Sequence, residues 1–410
     1  MSLKLVPIFA ICALICSAAA HPAAHLGELR STSYGGYAVL PIWTEDSGIS
    51  YLINVTLGSD NQTVPLIFDT GSTETFLNPD CFTLSDENVF KTCMDRPRYN
   101  AFTSTSSKFA GGSFSLSYSG GDSLVAGTYV NDAIRIGDAT VNARHIGLAA
   151  TSSNFDAGIF GAGLSAIGDS PSIIEQMVEQ GQVSSYVFSV DLGPLNCPEP
   201  GTVIFGGIDT KRYRGALTLL EGNGYNTFIT AMGLTLPNGT HISYNSSLLN
   251  SNNSTKPDTA TAGLPVFLDT GSPYNLVPKN LLYAIVESYP DVAVKETGAG
   301  RSFEVPYTTN SHTYTYTCTQ LTPNLQYTFK KKTIHVPIAD TLIRLPNGQC
   351  ILPFGVPPST STAAAAQTAR SGHMPYILGN SIMRAAYVVF DLDNNGIWMA
   401  ARDNCGQDIV

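Results

Sequence analysis

Two aspartates stand at the same place in two matching stretches of the chain. Residues 64–72 read VPLIFDTGS and residues 264–272 read LPVFLDTGS, so the stretches align without a gap at an offset of 200 residues. Each ends in Asp-Thr-Gly-Ser, which puts Asp69 and Asp269 in equivalent positions. A single Asp-Thr-Gly is a weak signal, because it is also ordinary turn sequence. Two copies on matching apolar runs in opposite halves of one chain predict a shared site.

Paired carboxylates support a specific chemistry if the two halves pack as pseudo-twofold copies. Asp69 and Asp269 then meet at the axis, and two carboxyl groups in contact cannot both ionise at low cost. One keeps a proton while the other is charged, and they titrate as a coupled pair. The charged acid can take a proton from a water that attacks an amide carbon, and the protonated acid can give its proton to the carbonyl oxygen. The pattern therefore indicates amide hydrolysis with no covalent intermediate.

The elements that position these acids are predicted to be buried strands followed by tight turns. Apolar runs of this length are typical of buried strands, and a carboxylate at the end of such a strand requires hydrogen bonds. Gly71 and Gly271 allow a turn whose backbone N–H faces the acid. Neighbouring hydroxyls can bond the carboxylate or its twin, and these supporting residues are Thr70, Ser72, Thr270 and Ser272.

Other elements can be predicted from alternation, capping and turn residues. Residues 113–137 alternate around a Gly-Gly-Asp turn and predict a long β-hairpin. Residues 170–181 predict a helix, and residues 278–290 predict a second short one. Two runs of the type apolar-apolar-Gly match each other, at 158–161 and 376–379. The second half thus repeats the order of the first, though more loosely.

Length, composition and the N-terminus indicate a secreted, globular, strand-rich chain. The 410 residues are enough for two lobes, and 43% are hydrophobic while 13% are charged. The net charge of −10 with no basic stripe argues against a nucleic-acid partner. Lys4, the apolar run 5–15 and small residues at 18–20 predict a signal peptide over residues 1–20. That run is too short for a membrane anchor, so secretion outside the cell is expected.

Cysteines and glycosylation sequons fit passage through the secretory route. The leader takes two of the eight cysteines, and an even remainder in a secreted chain predicts three disulfides. Spacing favours the first two pairs and elimination gives the third: Cys81–Cys93, Cys318–Cys350 and Cys197–Cys405. N-glycosylation acceptors occur at Asn54, Asn61, Asn238, Asn245, Asn252 and Asn253.

Taken together, these motifs resemble the pepsin-like aspartic endopeptidases, and most of all the secreted fungal members of the candidapepsin and yapsin type. The resemblance covers nearly all of residues 37–402 and rests on the two aspartate motifs, the hairpin with Tyr118 and the segment 377–395. It implies a mostly β, bilobal pepsin-like fold, with two pseudo-twofold related β-rich lobes, a cleft between them and a β-hairpin flap. The implied organisation is a signal peptide (1–20), a short pro-piece or N-terminal tail (21–36), an N-terminal lobe (37–200) and a C-terminal lobe (201–410).

The resemblance also implies roles for individual residues. Asp69 and Asp269 match the catalytic pair, and Tyr118 matches the flap tyrosine. The substrate is an extended peptide or protein, expected to contact Gly71, Tyr118, Ser119, Gly120, Gly271 and Ser272. A pepstatin-type inhibitor is expected to bind. No metal, cofactor, nucleic acid or membrane anchor is expected, and the protein is expected to be a monomer.

Several positions depart from the family pattern. Phe76 stands where the family usually has Trp, and Asn380 stands where it often has Asp. Because Phe cannot bond the hydroxyl of Tyr118, that hydroxyl is expected to turn to water, a backbone group or the substrate. Without that bond, the flap is expected to be held less firmly over the empty cleft. The acidic loop with Asp86 and Glu87 is expected to favour basic substrate side chains.

Other functions fit the sequence less well. Residues 121–124 spell the GDSL esterase signature, but no histidine has an aspartate three residues before it, as that chemistry needs. Glycoside hydrolases also pair carboxylates, but nothing in their chemistry requires duplicated Asp-Thr-Gly-Ser. The remaining alternative is a catalytically weak pepsin-fold protein that binds peptides. A changed catalytic acid would indicate it, and both acids are present.

Overall fold

The computed structural model describes the chain in a series of segments: 36–45, 48–118, 123–165, 170–193, 195, 200–236, 238–244, 246–249, 263–288, 295–296, 314–317, 324–344, 349–357 and 376–403. Some predictions fall outside them, on the signal peptide, most of the short pro-piece, Ser119, Gly120, Cys197, Cys318, Cys405, Asn245, Asn252 and Asn253. The second and third disulfide pairings therefore stay predictions. Among the described residues, no helix has the length and apolar character that crossing a bilayer takes.

The first half of the chain consists mainly of strands. They are β1 (Ala38–Ile42), β2 (Leu52–Leu57), β3 (Gln62–Asp69), β4 (Phe76–Leu77), β5 (Lys108–Tyr118), β6 (Ser123–Ile136), β7 (Ala139–Ser152), β8 (Gly158–Gly161), β9 (Val187–Asp191) and β10 (Gly201–Phe205). The helices are α1 (Glu87–Asp95) and α2 (Ile173–Glu179). Along β3 the fully buried residues alternate at Val64, Leu66 and Phe68, as they do in a strand with one face in the core.

Seven strands of the first half form one sheet. Their order is β2-β3-β8-β4-β7-β6-β5, and β2 also pairs with β6. Strands β5 and β6 are the predicted hairpin, with Tyr118 opposite Ser123 next to the turn. Strand β3 runs parallel to β8, with Asp69 opposite Gly161, and β4 lies antiparallel to β8. The aspartate therefore lies at the end of an interior strand.

The second half is also rich in strands. They are β11 (Tyr213–Leu219), β12 (Gly222–Asn223), β13 (Asn226–Ile229), β14 (Ala231–Thr235), β15 (His241–Tyr244), β16 (Leu264–Leu268), β17 (Asn275–Leu276), β18 (Lys295–Glu296), β19 (Tyr314–Thr317), β20 (Asn324–Phe329), β21 (Lys332–Pro337), β22 (Ile343–Arg344), β23 (Gln349–Ile351), β24 (Phe354–Gly355), β25 (Ile377–Leu378), β26 (Ala386–Asp391) and β27 (Gly396–Arg402). The helices are α3 (Ser246–Leu249), α4 (Lys279–Glu287), α5 (Ile338–Thr341) and α6 (Asn380–Met383).

The strand around the second aspartate repeats the pairing of the first. Strand β16 runs parallel to β25, as β3 does to β8, within the sheet β12-β13-β16-β25-β17-β24. Leu276 on β17 lies opposite Ile377, as Phe76 on β4 lies opposite Ile159. The matching apolar-apolar-Gly runs are thus the parallel partners of the two aspartate strands. Two further four-stranded sheets, β15-β14-β20-β21 and β18-β19-β23-β22, complete this half. The fold is mostly β, as predicted.

One sheet combines strands from both halves, in the order β1-β10-β9-β26-β27-β11. Antiparallel pairing of β9 with β26 joins the halves. Asp191 on β9 is fully buried and pairs with Arg402 on β27 and, at 3.3 Å, with Arg212. A buried carboxylate with two cationic partners ties the ends of the chain's two halves together. The predicted lobe boundary at residue 200 falls within this sheet and stays a prediction.

Two local elements differ from the sequence-based interpretation. The stretch between Cys81 and Cys93, read as an acidic loop, forms helix α1, and Asp86 caps it by accepting from the backbone N–H groups of Asn88 and Val89 at 2.9 and 3.0 Å. The predicted disulfide Cys81–Cys93 is present. Helix α2 is shorter than predicted. A capping box between Ser172 and Glu175 sets its start, because it satisfies the first backbone N–H groups there.

Candidate active site

Each predicted acid lies at the end of its apolar strand, and the following turn bonds it. The backbone N–H of Gly71 donates to Asp69 Oδ1 at 2.7 Å, and that of Gly271 donates to Asp269 Oδ1 at 2.9 Å. A Cβ at Gly71 would lie 2.9 Å from Asp269 Oδ1 and 3.0 Å from Asp69 Oδ1. Any side chain there would collide with both carboxylates. Glycine is required because the turn passes directly against the acids.

The two carboxyl groups meet, as the repeat predicts, and share a hydrogen bond. Burial raises the pKa of Asp69, and the bonds from Ser72 and Gly71 oppose that rise. Burial, and next the negative charge of Asp69, raise the pKa of Asp269 well above its usual value. The two carboxyl groups therefore titrate as one coupled pair, which carries a single proton over a range of pH.

The threonines of the two motifs bond across the interface between the halves. The Thr70 hydroxyl donates to the carbonyl of Leu268 at 2.8 Å and accepts from the N–H of Thr270 at 3.0 Å. The Thr270 hydroxyl mirrors this, with bonds of 2.7 Å to the Phe68 carbonyl and 3.0 Å from the Thr70 N–H. Both side chains are fully buried. The prediction that these hydroxyls support the carboxylates is therefore corrected: they bond the opposite main chain, because each points across the axis.

The serines of the two motifs do not behave alike. Ser72 Oγ donates a short hydrogen bond to Asp69 Oδ2, as predicted for a supporting hydroxyl. Ser272 Oγ instead donates to the carbonyl of Tyr274 at 3.0 Å and accepts from its N–H at 3.3 Å. Ser272 is only 3% exposed, and its predicted contact with substrate stays a prediction.

The ring of Tyr118, the flap residue, packs into a small aromatic cluster. It lies edge-on to Phe155 with ring centroids 5.3 Å apart, and 6.3 Å from the ring of Phe76. Its hydroxyl shares a hydrogen bond with Ser72. Burial, and next the charge of Asp69, raise the pKa of Tyr118, so the phenol stays protonated. Ser72 is not among the partners expected for this hydroxyl, which were water, a backbone group and the substrate.

Comparison with known proteins agrees with this geometry. The model of the eukaryotic aspartyl protease family matches residues 50–402, which span both acids and both halves. The chain belongs to the eukaryotic aspartyl protease family. Membership places it among the aspartic-type endopeptidases, which hydrolyse peptide bonds, and its mostly β fold is the bilobal, pepsin-like one.

Fungal proteins are among those similar to this aspartyl protease. A probable aspartic-type endopeptidase, opsB, of Aspergillus oryzae is 30% identical over 371 residues, which cover 85% of this chain and 68% of the relative. Secreted aspartic protease 8 of Candida albicans is 28% identical over 362 residues, which cover 87% of this chain and 76% of the relative. Rhizopuspepsin-3 of Rhizopus niveus is 26% identical over 337 residues, which cover 80% of this chain and 75% of the relative.

Sequence reasoning missed two residues near the acids of this aspartyl protease. Phe155 receives the ring of Tyr118, and Tyr225 donates its hydroxyl to the carbonyl of Ala162 at 2.7 Å. Neither lies in a recognisable motif, so no local signal marks them. Asn380, at a family aspartate position, donates to the carbonyl of Ile49 at 2.8 Å and accepts from the buried Arg384 at 3.4 Å.

Proposed function

We propose that this chain is a secreted aspartic endopeptidase that hydrolyses peptide bonds at acidic pH through a water activated between Asp69 and Asp269. The observation that carries the proposal is the contact between two carboxyl groups whose pKa values are both raised, that of Asp269 the more strongly. Such a pair holds one proton over a range of pH, and a singly protonated pair provides a base and an acid at the same point.

The hydrogen bonds around the pair assign a role to each acid. Asp69 accepts from Ser72 and Gly71, which stabilise its charged form, so it takes the proton of the attacking water. Asp269 keeps its proton and gives it to the carbonyl oxygen of the scissile bond. The tetrahedral diol then collapses: Asp69 gives its proton to the amide nitrogen, the C–N bond breaks, and Asp269 regains a proton from a diol hydroxyl. Both acids return to their starting states, and no covalent intermediate forms.

The proposed substrate is an extended peptide that binds between the halves. An extended backbone can pair with strand-like edges while alternate side chains enter pockets. Tyr118 next to the turn of the flap, together with Gly71 and Gly271 at the acids, would contact it, as would the flap residues Ser119 and Gly120. A pepstatin-type inhibitor is proposed to bind in the same place. Asp86 caps α1, which weakens the idea that it selects basic side chains.

Secretion is proposed from the leader sequence and from the relatives, one of which is named a secreted aspartic protease. The disulfide Cys81–Cys93 suits an oxidising compartment. Three of the sequon asparagines are exposed and suit glycosylation: Asn54, Asn61 and Asn238. We propose a monomer.

The test is digestion of a denatured protein by the mature chain at acidic pH, with and without pepstatin. Asp69→Asn and Asp269→Asn should each lower the rate by about 10³-fold or more, because each removes one half of the acid–base pair. Glu87→Gln, on the exposed start of α1, is the matched control and should leave the rate unchanged. Peptide binding without turnover by the wild type would favour the alternative, a catalytically weak peptide-binding protein.

A further inference from the structure

The side chain and main chain of Tyr225 together connect the two aspartate strands. The carbonyl of Tyr225 accepts from the N–H of Leu268, the residue before Asp269, at 3.0 Å. Its hydroxyl donates to the carbonyl of Ala162 at 2.7 Å. The N–H of Ala162 in turn donates to the carbonyl of Asp69 at 2.8 Å. Three hydrogen bonds in series thus lead from the main chain of Asp69 to Leu268, the residue before Asp269.

The ring of Tyr225 is fixed by aromatic neighbours from both halves. Its centroid lies 5.2 Å from that of Phe390 and 6.0 Å from that of Phe267, both in the second half. The ring of Phe188, in the first half, lies 6.4 Å away. Burial, and next the charge of Glu175, raise the pKa of Tyr225, so its hydroxyl remains a donor at every working pH. A held ring with a permanent donor makes a rigid connection.

This connection differs from the threonine bonds in where it acts. Thr70 and Thr270 bond at the two turns. Because these bonds lie close to each other, they resist separation of the two halves more than rotation of one half against the other. Tyr225 reaches residues 162–163, where the N–H of Gly163 also donates to the carbonyl of Ser72 at 2.8 Å. That segment therefore holds the main chain on both sides of the first turn. Fixing it to the strand before Asp269 fixes the orientation of one acid to the other.

We propose that Tyr225 is a positioning residue whose hydroxyl sets the separation of the two carboxyl groups. The inference rests on the proposed function, because it concerns the same pair. A short separation strengthens the repulsion that keeps one proton on the pair. Loosening it weakens that repulsion, so the second proton leaves at lower pH. The signature is a shift of the alkaline limb of the activity profile to lower pH.

Other charged and titratable groups near the two acids also influence their pKa values, and a variant that lacks only the Tyr225 hydroxyl keeps all of them. Among the described residues, Tyr118 faces Asp69, Glu74 acts on Tyr118, and Glu175 acts on Tyr225. Removing only the Tyr225 hydroxyl changes none of these charges. A shift of the alkaline limb in such a variant therefore reports the separation of the acids.

The experiment compares Tyr225→Phe with Tyr387→Phe across the pH profile. The hydroxyl of Tyr387 is also buried and also bridges the halves, donating to Ser189 at 2.9 Å and accepting from the Asp209 N–H at 2.6 Å, but it has no bond to the aspartate turns. Tyr225→Phe should lower kcat about two- to tenfold, the effect of one hydrogen bond, with KM nearly unchanged and the alkaline limb at lower pH. Tyr387→Phe should lower the Tm and leave the limb in place.

Two further measurements keep the outcome clear. Carbon-13 NMR titration of the aspartate carboxyl groups reads the higher pKa of the pair without turnover, so it tests Tyr225 even if the wild type proves inactive. Placing 4-aminophenylalanine at position 225 restores a donor and should restore that pKa. The proposal is overturned by an unshifted pKa in Tyr225→Phe, by an equal shift in Tyr387→Phe, or by a change in KM alone.

Discussion

The two Asp-Thr-Gly-Ser turns are alike in their threonines and unlike in their serines. Thr70 and Thr270 exchange the same pair of bonds across the axis, with lengths that agree within 0.1 Å. Ser72 bonds Asp69, whereas Ser272 bonds Tyr274. Each threonine hydroxyl bonds the equivalent N–H and carbonyl of the opposite half, so the symmetry of the two halves satisfies both hydroxyls. The serines face different surroundings, because the flap tyrosine bonds the first of them.

In the proposed mechanism, this difference gives the two acids of one duplicated motif separate tasks. Symmetric contacts hold the halves together and bring the carboxyl groups into contact. Asymmetric contacts then stabilise the charge on Asp69, and leave Asp269 with the strongly raised pKa. Four substitution pairs test the comparison.

The largest expected effect is on the threonines. Thr70→Val and Thr270→Val each leave a buried N–H and a buried carbonyl without a partner, which should lower the free energy of unfolding by about 2–5 kcal/mol. Because the bonds are symmetric, the two losses should agree within about 1 kcal/mol by urea denaturation. Thr75→Val, which removes a bond to the Gly161 N–H within one half, should cost less. Unequal losses from Thr70 and Thr270 would contradict the symmetry.

The serines should instead give unequal effects. Ser72→Ala removes a hydrogen bond to a charged carboxylate, so kcat should fall about tenfold or more. The pKa of Asp69 then rises, and the acid limb of the activity profile moves to higher pH. Ser272→Ala should leave that limb in place, because its hydroxyl bonds only its own turn. Equal shifts in the two variants would show that the asymmetry has no role.

A smaller effect is expected at the equivalent positions Phe76 and Leu276. Phe76 is fully buried against Phe155 and Tyr118, so Phe76→Trp should overpack the cluster and cost about 1–3 kcal/mol. It should also displace the flap tyrosine and raise KM. Leu276→Phe adds bulk at the matching place without contact to the flap. A lower KM for Phe76→Trp would instead support the expectation that Phe76 leaves the flap held less firmly over the empty cleft.

The smallest effect is a pH dependence of stability with opposite sign at two aspartates. The folded pKa of Asp269 is raised, so its contribution is complete below the usual pKa of about 4 and is lost as pH rises through the folded value. Asp269→Asn should therefore raise the Tm near neutral pH and not at acid pH. The pKa of Asp132 is lowered by bonds from Ser106 and Tyr99 that outweigh its burial, so Asp132→Asn should cost stability mainly above its usual pKa. Thermal scans from acid to neutral pH decide both signs.

The sequence by itself determined the local features of this protein. The repeat at 64–72 and 264–272 predicted the two acids, and their glycines predicted the turns, because only glycine fits against the carboxylates. The hairpin and the first disulfide followed from alternation and close spacing. Each of these depends on neighbours within a few residues of the chain, where side-chain type and spacing fix the geometry.

Only the tertiary structure decided which hydroxyl serves which acid. Ser72 and Ser272 stand in identical tetrapeptides, yet Ser72 bonds Asp69 beside the flap tyrosine, whereas Ser272 bonds Tyr274. The bond from Tyr225 to Ala162 joins residues 63 apart and has no sequence signature. Such contacts depend on how two lobes pack, and small differences in packing between equivalent segments decide a hydrogen bond that the local sequence leaves open.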